Sequence, residues 1–188
     1  PTSSIERRTW LISTWQAANA AMDHSTASRT LRKLVKGDLQ ALDKEEIVVG
    51  HGENGSPLTR SALDVLAEHE RSLGYWNTAA EVLLEGHKSG SVGAQRIVFA
   101  AQLLENLSKE QRQKMIATAL DKAVLDKAWW LAEDILRVQL IFDIAQGGDG
   151  VTLRESLERL AQELDDSYTL WEIIREDQAR QEESLRLE

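Results

Sequence analysis

The chain has 188 residues, 42% of them hydrophobic and 28% charged, with a formal net charge of −9 and no cysteine. A chain of this length buries a core without metals or disulfides, and the missing cysteines exclude disulfides, thiolate nucleophiles, iron–sulfur clusters and cysteine-bearing zinc sites. The negative balance repels nucleic acid and anionic membrane alike, so nucleic-acid binding is not expected beyond a local patch.

No apolar run reaches the length of a bilayer span, and no apolar segment follows the N-terminal charges, so neither a membrane helix nor a signal peptide is expected. Together with the absence of cysteine this points to a cytoplasmic location. Two prolines, Pro1 and Pro57, and glycine clusters at 50–55, 86–93 and 147–150 divide the chain into blocks. Within the blocks apolar residues recur every three or four positions, the period of a helix with one buried face.

In chain order, Ser3 and Glu6 have the spacing of a capping box and open a helix carrying Trp10, Leu11, Thr14, Trp15 and Ala18 along one side. A second helix starts near Thr26 with Leu31, Leu34 and Val35 inward, and Asp43-Lys44-Glu45-Glu46 has the composition of a cap for a further short one. Arg29, Arg32, Lys33 and Lys36 form the one basic cluster, with Arg7 and Arg8 as potential neighbours. They are the candidate contacts for an anion or nucleic acid, against the plainer reading of a solvated helix face. Ile47-Val48-Val49 is the only β-branched run, and the sequence offers it no obvious strand mate. The segment 50–57 is the clearest loop. Leu63, Leu66 and Leu73 line the next helix, which ends near Gly74. Another helix runs from Tyr75 or Asn77 to Leu84, and one more from about Ser91 to Leu107.

Ser108 and Gln111 form a second capping box, opening a stretch to Gln146 that reads as one long helix or as two helices broken near Lys127. Thr152 and Glu155 form a third. Leu153, Leu157, Leu160, Leu164, Ser167, Trp171 and Ile174 then alternate in steps of four and three, the seam of a coiled coil. Residues 151–188 hold eleven acidic and five arginine side chains. The expected fold is all-α, a multi-helix bundle or short helical solenoid. It has a helical domain over 1–150, subdivided at the loop 50–57, and a heptad-patterned amphipathic helix with a frayed acidic tail over 151–188.

No residue pattern carries catalysis or metal binding. The histidines His24, His51, His69 and His87 form no HExxH or ExxH pair, no serine lies in a nucleophile elbow, and neither glycine loop has calcium-ligand spacing. No catalytic residue, metal site or cofactor is expected. Six tryptophans against two phenylalanines and two tyrosines is an unusual aromatic balance. Adjacent Trp129 and Trp130 cannot both face one core, so one of them is expected at a boundary.

In 65–85, Gly74-Tyr75, Thr78-Ala79, Val82 and Glu85 follow the spacing G-Y-x-x-T-A-x-x-F-x-x-E, with valine in place of phenylalanine. This stretch resembles a LisH (Lis1-homology) motif; a helical hairpin of the TPR or α-solenoid kind is the other reading of the same residues. The LisH resemblance implies self-association into a helical homodimer through Tyr75, Trp76, Thr78, Ala79 and Val82. The heptad seam adds Leu164, Trp171 and Ile174 as interface candidates. The expected function is therefore a non-catalytic scaffold that self-associates and meets a protein partner. A helical bundle acting on or binding a small molecule, and a nucleic-acid-associated subunit using 29–36, are the alternatives.

Overall fold

Polar caps set several of the helix starts. In the structure, a computed structural model that describes residues 4–86, 90–166, 168–173 and 175, Asp23 accepts from the Thr26 N–H to open α2 (His24–Leu34) behind α1 (Ser4–Ala20). Asp38 accepts from the Gln40 and Ala41 N–H groups at the head of α3 (Leu39–Asp43). The short helix thus ends at Asp43, inside the stretch Asp43-Lys44-Glu45-Glu46 read as its cap. Ser61 caps α4 (Ala62–Ser72), which is followed by α5 (Trp76–Glu85) and α6 (Gly90–Leu103). The Ser108–Gln111 capping box forms and opens α7 (Lys109–Leu125). The chain breaks at Asp126–Ala128, so the long stretch is two helices, the second being α8 (Trp129–Ala145). The expected box at Thr152 and Glu155 does not head α9 (Val151–Glu163): Gly150 stands at its N-cap, and Asp149 accepts from the Val151 N–H.

Two expectations are corrected. Ile47-Val48-Val49 does find a mate: β1 (Glu46–His51) pairs antiparallel with β2 (Pro57–Ser61), Ile47 opposite Arg60, with an irregularity at Val49. Only Ile47 of this ribbon is buried, so strand β2 carries none of the apolar alternation by which a strand is read from sequence. The C-terminal segment is not one helix. After Leu164, Asp165 takes a positive φ of 54° and Asp166 starts a new helical stretch over 168–173, so the heptad seam is cut. Leu153, Leu157 and Leu160 of that seam pack with Leu136, Leu140 and Ile173 of the same chain, as ordinary core. Ser3, His87, Ser89, Ser167, Ile174 and the tail from 176 lie outside the described residues.

The fold is otherwise helical, and from α4 onward each helix packs mainly on its neighbours in sequence. One core joins α1–α5 around Trp15, Leu31, Leu42, Leu63 and Leu66; a second joins α6–α8 around Ile97, Ile116 and Ile135. Leu103 of α6 reaches back to the first core and Leu84 of α5 forward to the second. Arg96, buried in α6, clasps Asp43 at the end of α3 and Asp64 in the first turn of α4, with Arg96 Nε to Asp64 Oδ1 at 2.8 Å. Burial works against its charge, but the two carboxylates more than reverse this and raise the guanidinium pKa further. Among the described residues no helix is long and apolar enough to cross a membrane.

Among the described residues six positive-φ residues are followed by an N–H that bonds back five residues; at Lys36 (Gly37 to Arg32) and Gly147 (Gly148 to Asp143) the next helix does not start at the following residue, and the other four turns share one form. Met22, Gly74, Lys127 and Asp165 all adopt positive φ, at 56°, 80°, 55° and 54°. In each case the next N–H reaches back five residues: Asp23 to Ala18, Tyr75 to Glu70, Ala128 to Ala123 and Asp166 to Ala161, at 2.9–3.0 Å. This is the wide bond of a Schellman ending. Each turn then starts a helix whose first-turn N–H points at the residue just past the left-handed one: Ala27 to Asp23, Ala79 to Tyr75, Ala132 to Ala128 and Leu170 to Asp166. The residue whose carbonyl accepts the wide bond is buried each time. Three times it is alanine; in the second turn it is Glu70.

Candidate interaction surfaces

Glu70 therefore puts a carboxylate where the other three turns place a methyl group. It is 5% exposed, and burying a charge there is costly unless it is paired. Its Oε1 accepts from Ser28 Oγ at 2.7 Å and from Arg32 Nε and NH2 at 3.2 and 2.7 Å. Both partners stand on α2. Around this anchored guanidinium lies an open groove of about 610 Å³, lined by Arg7 of α1, by Arg29, Arg32 and Lys33 of α2, and by Lys36 just beyond it. Leu73 and Tyr75 form its other wall. Arg29, Arg32 and Lys33 share a helix face by their spacing. Lys36 joins them from a backbone at φ 56°, a conformation that costs a non-glycine residue energy. Arg8, expected beside this cluster, instead pairs with Glu45 at 2.6 Å. Among the described residues no ion pair engages Arg7, Arg29, Lys33 or Lys36; Asp23, capping α2, lies within Coulombic reach of Arg29.

Beside Glu70, His69 is buried in a chain of rings. Trp15 Nε1 sits 3.1 Å from His69 Nε2, and His69 Nδ1 sits 3.0 Å from His24 Nδ1. An indole N–H only donates, so His69 Nε2 must accept, and the neutral ring carries its proton on Nδ1 and gives it to His24. Burial first, then the neighbouring His24, hold the His69 imidazole below its ordinary range, against weaker pulls from Glu68 and Glu70.

A second polar cluster ties α8 to the last helical stretch. Thr169 Oγ1 lies 2.6 Å from Glu133 Oε1 and 2.6 Å from Asp166 Oδ2, with Arg137 also on both Glu133 and Thr169. A hydroxyl has one proton to give, so one of the two carboxyls must supply its own. Burial pushes Glu133 up, and the Thr169 hydrogen bond draws Asp166 down. Of the two, Glu133, whose Oε2 is buried without a partner, is the carboxyl the surroundings favour as the proton's holder.

Exposed apolar side chains gather at the α7–α8 turn. Val124 and Leu125 end α7, Trp129 and Trp130 begin α8, and all four face solvent, Leu125 at 83% and Trp130 at 61% exposure. The Ser91 N–H donates to Asp126 Oδ2 at 2.8 Å, which brings the head of α6 and its exposed Val92 to the same end.

The residues singled out from sequence divide accordingly. Tyr75 and Trp76 are exposed and Thr78 half-buried, but Ala79 and Val82 are buried against the chain's own core, where they hold α5 in place. Tyr75, at 58% exposure, rims the basic groove. Leu164 is half-buried at the end of α9 and Trp171 is exposed, separated by the break at Asp165, while Ile174 lies outside the described residues. Arg29, Arg32, Lys33 and Lys36 do converge, and Arg7 with them. Glu70, Ser28 and the exposed ends of α7 and α8 were not singled out as site residues. The repeat of the turn, with a charge replacing a small residue once, was the signal that could have found Glu70. Comparison of the chain with family models, with curated proteins and with solved structures gives no match in any of the three.

Proposed function

We propose that the protein is a non-catalytic helical interaction module that self-associates through the α7–α8 end. The observation that carries this reading is the exposed cluster of Val92, Val124, Leu125, Trp129 and Trp130. Exposed apolar side chains gathered at one end of the fold, with tryptophan among them, are characteristic of protein contacts. A second copy is the occupant that fits. An interface across a two-fold axis must complement itself, and this one has an apolar centre beside Asp126 and Lys127, so the acid of one copy meets the lysine of the other. The LisH-like stretch supports self-association from a separate side. With Ala79 and Val82 committed to the core, Tyr75 and Trp76 are the two rings it leaves for such a contact.

Light scattering after size exclusion, at two well-separated concentrations, tests the reading. The wild-type chain is expected to rise from 21.1 kDa toward twice that mass with concentration. Leu125→Glu with Trp130→Glu is expected to stay at monomer mass with unchanged circular dichroism. A wild-type monomer at both concentrations overturns the proposal.

A further inference from the structure

We propose that the groove between α1, α2 and the α4–α5 turn is a docking site for a short acidic segment of a protein partner. The site lies away from the α7–α8 end and shares only Tyr75 with the self-association reading, so a monomeric result there leaves it untouched. Three observations converge on it. Five cationic side chains from α1, α2 and the turn after α2 line one groove, and Glu70 is the one carboxylate among its lining residues. In a chain of net charge −9 such a concentration of positive charge runs against the composition. Three of these cations, Arg29, Arg32 and Lys33, stand at i, i+3 and i+4 spacings on one face of α2, so their charges add toward the groove.

The second observation is Glu70 itself. Alanine holds the same place in the three other turns that lead straight into a helix, so a turn of that form does not itself require a carboxylate there. What the carboxylate does is fix Arg32: two of the guanidinium nitrogens, Nε and NH2, are held on Glu70 Oε1, which aims the rest of the fork at the groove. Glu70 is thus a positioning residue and Arg32 the ligand contact it orients. The third is Lys36, the left-handed residue at the ending of α2, which stands where that ending meets the same groove.

The dimensions favour peptide over nucleic acid. From Arg29 to Lys36 the stripe runs about 10 Å along α2, the span of about three extended residues. Side chains two positions apart in an extended strand share a face, so alternate glutamates present carboxylates to the stripe while Tyr75 and Leu73 meet the stem between them. A nucleic acid continues beyond this length, into the surface of a strongly acidic protein.

The test uses the full chain and a fluorescein-labelled octapeptide of alternating glutamate and alanine, read by fluorescence anisotropy. Its glutamine counterpart and an eight-residue deoxythymidine oligomer serve as competitors. Expected is saturable binding that weakens roughly tenfold when salt is raised from low to several times physiological, and no displacement by the glutamine peptide. Lys33→Gln with Lys36→Gln is expected to weaken binding roughly tenfold, two exposed charge contacts being lost. Glu70→Ala, with unchanged circular dichroism, is expected to lower affinity and flatten the selectivity for glutamate over glutamine peptide, which loss of packing alone would not do. Absence of binding up to about 1 mM peptide, equal binding of the glutamine peptide, unchanged affinity in the double lysine variant, or stronger binding of the oligonucleotide each overturns the proposal.

Discussion

His69 shows how a single buried side chain makes stability depend on pH. Its Nε2 can accept from Trp15 only while unprotonated, and burial holds its folded pKa below the ordinary value of 6.5. The neutral ring therefore stabilises the fold fully above that value. As pH falls below it the unfolded chain takes up a proton that the folded chain refuses, and stability is lost until the lowered folded pKa is reached. His69→Leu should remove this component and leave the Trp15 indole without an acceptor, costing about 1–3 kcal/mol at pH 7.5. Urea melts at pH 7.5 and 5.5 should show a smaller pH difference in the variant than in the wild type; an unchanged difference refutes the assignment. Glu133 has the opposite sign. A carboxyl raised by burial contributes most at low pH and loses that contribution as pH rises from its unfolded value of 4.5 toward the folded one. Glu133→Gln, which keeps the neutral shape, should be at least as stable as the wild type at pH 7.5, whereas Glu133→Ala should lose about 1–3 kcal/mol by removing the buried carboxyl that Thr169 and Arg137 both contact. Neither network was legible in the sequence. Trp15 and His69 are 54 residues apart and Glu133 and Thr169 are 36 apart, and no local period links residues at such distances.

At the scale of elements, the recurring turn explains both what the sequence pattern revealed and what it concealed. Apolar periodicity located the helices because each buries one face. The end of α4 was legible because Gly74 supplies the positive φ without a steric penalty. Met22, Lys127 and Asp165 adopt the same conformation with a side chain. The break at Lys127 therefore stood only as an alternative and the one at Asp165 was missed, so the heptad seam read through it. Lys127→Gly should accordingly stabilise the chain by about 1 kcal/mol, a rise in melting temperature of about 2–4 °C for a protein of this size. Gly74→Ala should destabilise by a similar amount, about 1 kcal/mol. Thermal melts of the two variants in parallel check this, and a stabilising Gly74→Ala would show that the turns are not equivalent. The second strand was illegible for a different reason: Pro57, Thr59, Arg60 and Ser61 read as loop, and pairing with β1 is fixed by the neighbouring Ile47 anchor and the Asp43–Ser61 contact rather than by a buried face of its own.

For the whole molecule, Arg96 is the point where the N-terminal helices, the ribbon's end and the central helices meet. Arg96→Met leaves the Asp43 and Asp64 carboxylates facing each other across the gap it filled, and should cost about 3–5 kcal/mol, measurable as a shifted denaturant midpoint. Replacing Asp64 with asparagine in the same variant should recover part of that loss. The all-helical architecture was legible because composition and period agree along most of the chain; the convergence of the 29–36 cluster with Arg7 and Glu70 was not, since it depends on how α1, α2 and α4 cross. The hairpin ribbon has a further consequence. Its tip, Glu53–Gly55, is exposed, and what joins the segments on either side is the core packing of Trp15, Leu31 and Leu42 on Leu63 and Leu66, reinforced by the Glu70 and Arg96 ion pairs. Covalent continuity at the tip is dispensable for that union. Severed between Glu53 and Asn54, the protein becomes a pair of complementary fragments, 1–53 and 54–188, that should copurify when made together, and neither half alone has the means to fill the first core. A chain that can be cut and rejoined in this way is a ready split sensor, whose signal reports the assembly of two separately encoded pieces.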